Sequence, residues 1–156
     1  MHLQELQKRD PKNELIYEYL GRAYDGLHEY DRAAESFKQA TELSESKYRY
    51  EANLAYALAK SGNVAAAQAL ADSLEVKADS GEWIPASAMT EAYIGLGKKD
   101  RAFFWLNRCV ADHSCTLLEA NAEPIYSGLS GDRRFEKIVS PLYGHQNELA
   151  QIDVRK

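Results

Sequence analysis

Apolar residues recur along this chain at intervals of three and four, the spacing of one face of an α-helix. Tyr17, Leu20, Tyr24 and Leu27 form one such stripe, and Tyr30, Ala33, Phe37 and Ala40 form the next. Gly26-Leu27-His28-Glu29 lies between them and reads as a tight turn. Later turns fall at Ser61-Gly62-Asn63 and at Gly95-Leu96-Gly97-Lys98. Glycine supplies the positive φ that ends a helix, and Asn63 or Asp100 can help start the next. The pattern predicts helices throughout, joined in antiparallel pairs.

The pairs repeat. Tyr24, Ala33, Phe37 and Ala40 each have a counterpart 34 residues on, at Leu58, Ala67, Ala71 and Leu74. A third set, Tyr93, Ala102, Leu106 and Cys109, follows after a further 35. Leu20, Leu54 and Met89 align in the same way, as do Gly62 and Gly97. Such self-similarity is the signature of an array of supersecondary units. Small residues fall where paired helices should approach most closely: Gly21 is expected near Ala33, and Ala55 near Ala67. The expected core is Tyr24, Phe37, Leu54, Leu58, Leu70, Leu74, Tyr93, Phe103 and Leu106.

The segment NELIYEYLGRAYDGLHEYDRAAESFKQATEL resembles a tetratricopeptide repeat (TPR). The family pattern is met by Tyr17, Leu20-Gly21, Tyr24, Ala33, Phe37 and Ala40, and the next two copies follow it more loosely. Glu51 and Ala86 stand where the aromatic belongs, Thr90 takes a small position, and Glu45 replaces the closing proline. The resemblance implies an all-α fold, a right-handed TPR superhelix or α-α solenoid of about three helix pairs. It divides a single domain, 1–143, into repeats at 14–47, 48–82 and 83–116. Residues 1–13 would be the end of a preceding repeat, with Leu3 and Leu6 inward and Asp10-Pro11 at its close. Residues 117–143 would be a loop plus a capping helix, and 144–156 a C-terminal tail. Gly131-Asp132-Arg133-Arg134-Phe135 is similar to the Asp-Pro-Arg-Phe helix that seals many bacterial members, with Asp132 as cap and Phe135, Ile138 and Val139 inward. An array opening in mid-repeat suggests a chain cut from a longer protein, or an N-terminal edge covered by another chain.

Composition narrows the class. Alanine outnumbers valine, isoleucine and threonine combined in the 156 residues, which favours helix over sheet. The net charge of −5 argues against direct nucleic-acid binding, which needs clustered Lys and Arg. No apolar run approaches the roughly 20 residues of a membrane span, and the first ten residues lack a signal-peptide core. The expected location is cytoplasmic, with no membrane insertion.

Family geometry places the first helix of each pair on a concave wall. The implied groove positions are Glu18, Tyr19 and Arg22 beside Leu15, then Arg49, Asn53, Tyr56 and Lys60, then Ser87 and Glu91 beside Ile94. Tyr19, Tyr56, Arg22 and Asn53 would offer ring faces and donors to an extended peptide or a helix, or else form a solvated helix face. Chaperone-binding members grip a terminal carboxylate with Lys, Asn and Arg; only Asn53 matches, and Glu18 would repel a carboxylate. The implied function is a non-catalytic module that binds a protein or peptide partner. The alternatives are a sensory or regulatory domain of a larger bacterial protein, such as a transcription regulator, and self-association through the N-terminal edge.

Other chemistry is sparse. Cys109 and His113 lie four apart, but Cys109 occupies the core register of Ala40 and Leu74, so a buried reduced thiol is expected. A Cys109–Cys115 disulfide and a metal site are the alternatives. No nucleophile carries a motif that fixes a base beside it, and the glycines mark turns rather than a phosphate loop. No catalytic residue, metal or cofactor is expected.

Overall fold

Asn13 starts the first well-packed helix: its side-chain oxygen accepts from the Leu15 amide at 3.1 Å, satisfying one of the helix's unpaired donors. The computed structural model describes residues 2–113 and 124–140. In chain order these form α1 (His2–Arg9), α2 (Glu14–Gly26), α3 (Tyr30–Leu43), α4 (Tyr48–Lys60), α5 (Val64–Asp79), α6 (Ala86–Gly95) and α7 (Lys99–Ala111). A 3₁₀ turn (Pro124–Leu129) and a last helix, α8 (residues 133–140), follow. There is no strand among the described residues. The expected tail 144–156, Cys115 and most of the preceding loop lie outside them.

The helical stripes close the same way three times. The carbonyls of Tyr24, Leu58 and Tyr93 accept from the amides of Glu29, Asn63 and Lys98 at 2.9, 2.8 and 3.0 Å. This is the bond that ends a helix through one residue in the left-handed region. Gly62 (φ 93°) and Gly97 (φ 68°) take that conformation in two copies. In the first copy it is His28, at φ 60°, and not Gly26, which remains inside α2. Asn63 stands at the start of α5 without a side-chain cap bond.

The repeat register is the core. Ala33, Ala67 and Ala102 are fully buried, as are Ala40, Leu74 and Cys109 and the trio Phe37, Ala71 and Leu106. Tyr24, Leu54, Leu58 and Leu70 are only half-buried, whereas Trp105, absent from the expected core, is 2% exposed. Gly21 gives way to Phe37. A Cβ there would sit 2.6 Å from the Phe37 ring, so the missing side chain makes room for that ring. Gly95, read from sequence as a turn residue, ends α6 where a Cβ would lie 2.8 Å from the Tyr56 ring and 3.1 Å from its carbonyl oxygen.

Stacking changes along the chain. α4 packs closely on α3 and α5 and also directly on α6, while α2 packs chiefly on α3. α1 touches only α2 to any extent and leaves Leu6 45% exposed. At the far end Asp132 accepts from the Arg134 amide and opens α8. The Arg134 guanidinium beside it holds the Asp132 carboxyl down to about 2. Arg134 also reaches Asp100 at 2.7 Å and covers the Phe103 ring at 4.0 Å. Phe135 and Val139 seal the core, with Ile138 half-buried.

Cys109 is disulfide-bonded rather than a free thiol. Being fully buried at a core position, it decided the sequence reading towards a reduced residue, but burial alone does not distinguish the two states. No helix described is long and apolar enough to cross a membrane.

Candidate functional site

The faces of α2, α4 and α6 turned towards one another carry most of the sequence-derived groove residues. Helical periodicity brings Glu18 and Arg22 onto one face of α2, and Arg49, Asn53, Tyr56 and Lys60 along α4. α6 adds Ser87 and Glu91. The structure gathers Arg22, Arg49, Asn53, Ser87 and Glu91 around a cleft of about 220 Å³. Arg22, Tyr56 and Lys60 line a second cleft of about 420 Å³. Tyr19 lines neither and stands 56% exposed.

Several of these side chains are far less open than a solvated wall requires. Glu18 is 3% exposed and accepts from Arg22 Nε at 3.4 Å and from Arg49 Nη2. The Arg49 bond ties α2 to α4 through charge, whereas α2 packs chiefly on α3. Arg22 also lies 4.0 Å from the buried Glu91. Each buried carboxylate thus faces a guanidinium whose outer part stays in solvent, the arrangement that keeps a buried charge tolerable. Burial, followed by the Glu18 charge, pushes the Tyr50 hydroxyl above its ordinary value.

Tyr56 is not the open stacking face that its spacing suggested. It is 7% exposed, its ring against Gly95 and its hydroxyl hydrogen-bonded to Asp25. Burial and the Asp25 charge push that hydroxyl well above its usual range. Burial also raises Asp25, against the opposing pull of its Tyr56 bond and of Lys60. The 3₁₀ turn closes this lower cleft with Ile125 and Ser127. Gly128 lies close to Ile94 on α6, where a Cβ would approach to 3.1 Å.

Asn53 is the exception to this pairing. It is 2% exposed, and neither its Oδ1 nor its Nδ2 has a hydrogen-bond partner. An unpaired buried amide costs about 1–3 kcal/mol, and such groups are rare in folded proteins. The cleft it lines contains donors on Arg22 and Arg49 and acceptors on Glu91, so the wall as a whole offers both kinds of hydrogen-bonding group.

Two contributors escaped the sequence reading. Asp25 is hidden by its place near a turn, although it lies one helical turn after Arg22. Trp83 stands 76% exposed in the α5–α6 connection and lines the Asn53 cleft. Its one sequence signal was a large aromatic among polar loop residues, Ser80-Gly81-Glu82. Among the described residues no three His, Cys, Asp or Glu side chains are grouped to hold a metal ion. The chain matches no protein-family model, and it shows no significant match to a curated protein or to a solved structure.

Proposed function

We propose that this chain is a TPR-type module, its pairs wound as a right-handed superhelix, that binds an extended protein or peptide segment along the wall of α2, α4 and α6. It acts by binding and not by catalysis. The observation that carries the reading is the unpartnered Asn53 amide in the cleft. In an extended segment the N–H and C=O of one residue point to the same side, so once the Asn53 side chain turns out into the cleft they can satisfy its Oδ1 and Nδ2 together. The 34- and 35-residue register, with its threefold buried alanine, supports the superhelix. Glu18 and Glu91 hold Arg22 and Arg49 in place, so an acidic ligand would have to compete with carboxylates already seated there.

Asn53→Leu separates stability from binding. It removes the buried unsatisfied amide at nearly constant volume, so stability should hold or rise by about 1 kcal/mol. Binding of a pool of blocked random nonapeptides, followed by fluorescence, should weaken at least roughly tenfold, the loss expected for a paired amide. A variant that binds the pool as well as the parent would overturn the reading.

A further inference from the structure

The Asn53 cleft does not end at α6. Where the N-terminal turn of α2 meets the α3–α4 and α5–α6 connections lies a larger cleft of about 660 Å³. It shares Arg49 and Trp83 with the Asn53 cleft, so the two adjoin around the Trp83 ring. Trp83 is the most exposed large apolar side chain described, and such a ring, fixed beside a cleft, marks a place where something packs.

The charge around it is one-sided. Glu14, Glu45 and Glu82 line the cleft and make no ion pair among the described residues. The sole cation on its wall among the described residues, Arg49, is bonded to Glu18. Tyr48, also on the wall, already carries the Lys77 ammonium 4.9 Å from its ring centre, and Lys77 is paired with Glu51. Among the described residues no cation lies over Trp83. Three uncompensated carboxylates beside an open indole attract a cation through both charge and ring quadrupole, the indole being the best aromatic for that purpose. A lysine fits this combination, its four-carbon stem lying on the ring and its ammonium reaching the carboxylates.

Resting on the peptide-binding reading above, we infer that the partner is a basic peptide segment. It carries a lysine beside the residue whose backbone meets Asn53, and this lysine enters the larger cleft across Trp83. The Asn53 wall supplies the backbone contact, and the Trp83 cleft reads the side chain.

The test uses the full chain and three pools of blocked nonapeptides, with lysine, norleucine or glutamate fixed at the centre and random residues elsewhere. Of the two tryptophans, Trp105 is buried, so fluorescence changes report chiefly on Trp83. Isothermal titration gives affinities where Trp83 is replaced. The lysine pool should bind roughly tenfold more tightly than the norleucine pool, and the glutamate pool most weakly. The preference should shrink with added salt, and should fall below about twofold in Trp83→Ala and in a Glu14→Gln, Glu45→Gln, Glu82→Gln variant. These positions are at or near the surface, and unchanged melting temperatures will confirm that both variants fold. Asn53→Leu should weaken all pools alike. Equal binding of lysine and norleucine pools, still weakened by Asn53→Leu, overturns the lysine site and leaves the peptide wall standing. A lysine preference that survives both cleft variants also overturns it. Binding by none of the pools overturns both readings.

Discussion

The first helix pair and the helices that follow it solve the same packing problem with different material. Around α2 and α3 the buried cluster is Ala33, Ala34, Phe37 and Ala57, flanked by half-buried Tyr24, Leu54 and Leu58. From α4 to α8 the core contains Leu74, Met89, Tyr93, Trp105, Leu106 and Phe135. The first pair inserts one ring into a space that Gly21 leaves empty. The later pairs fill theirs from both sides. The joints differ as well: α2 reaches α4 through the Glu18–Arg49 bond, while α6 lies directly on the α4 backbone at Gly95. Identical register therefore does not impose identical contacts. The residue sizes at each register position decide how closely successive pairs approach.

Substituting both glycines tests this contrast and gives the largest expected effect. Gly95→Leu must push α6 away from the Tyr56 backbone and should cost about 3 kcal/mol. Gly21→Leu displaces a side chain, Phe37, within an alanine-lined cluster and should cost about 2 kcal/mol. Denaturant unfolding measures both, and a larger loss at Gly21 would reverse the proposed difference between the two joints.

Smaller in effect is the carboxylate that anchors the later pairs. Glu75 on α5 accepts from Arg101 and from Trp105 Nε1 at 3.1 Å, and is also hydrogen-bonded to Tyr93. Burial would raise its carboxyl, but the bonds from Arg101, Trp105 and Tyr93 outweigh it and hold the group below its ordinary value of 4.5. A depressed acid stabilises the fold above its unfolded value, and that contribution fades as pH falls through the folded one. At neutral pH Glu75→Gln should cost about 1 kcal/mol, given its partial exposure. The gap from the parent should narrow steadily as pH drops below 4.5. A gap independent of pH would remove Glu75 from its anchoring role.

The smallest predicted change is a gain. His28→Gly gives the first turn the residue its two counterparts already have, relieving the cost of φ 60°. The 2.8 Å hydrogen bond between His28 Nδ1 and the Tyr30 hydroxyl is exposed and offsets part of that gain. Thermal melting should show stabilisation of about 0.5 kcal/mol. Loss of stability would mean that the His28–Tyr30 bond matters more than the backbone strain.

The helices, their pairing and the buried alanines were legible because period and residue size act locally: a small residue every 34 or 35 positions marks a close approach wherever the pairs stack. The roles of the glycines were less legible. Gly26, Gly95 and Gly97 all lie near helix ends, but only Gly97 takes a positive φ, and Gly95 is needed for a neighbour that the sequence does not name. The candidate wall was legible in its residue numbers and not in its exposure. Glu18, Asn53, Tyr56 and Glu91 are buried because α2, α4 and α6 turn their faces inward and the 3₁₀ turn closes over the lower cleft.

Sequence by itself determined the helical class, the repeat period and the set of side chains along one face of each first helix, all consequences of backbone geometry and chain spacing. Tertiary structure alone decided which of those side chains pair and which do not. Glu18 finds Arg49 and Tyr56 finds Asp25, each 31 residues along, yet Asn53 between the two on α4 is left unmatched. Trp83 acquires its place at the junction of two clefts only when the start of α2 and two connections converge. Hydrogen bonds and ion pairs depend on distances of a few ångströms between segments far apart in the chain, and no local pattern encodes those distances.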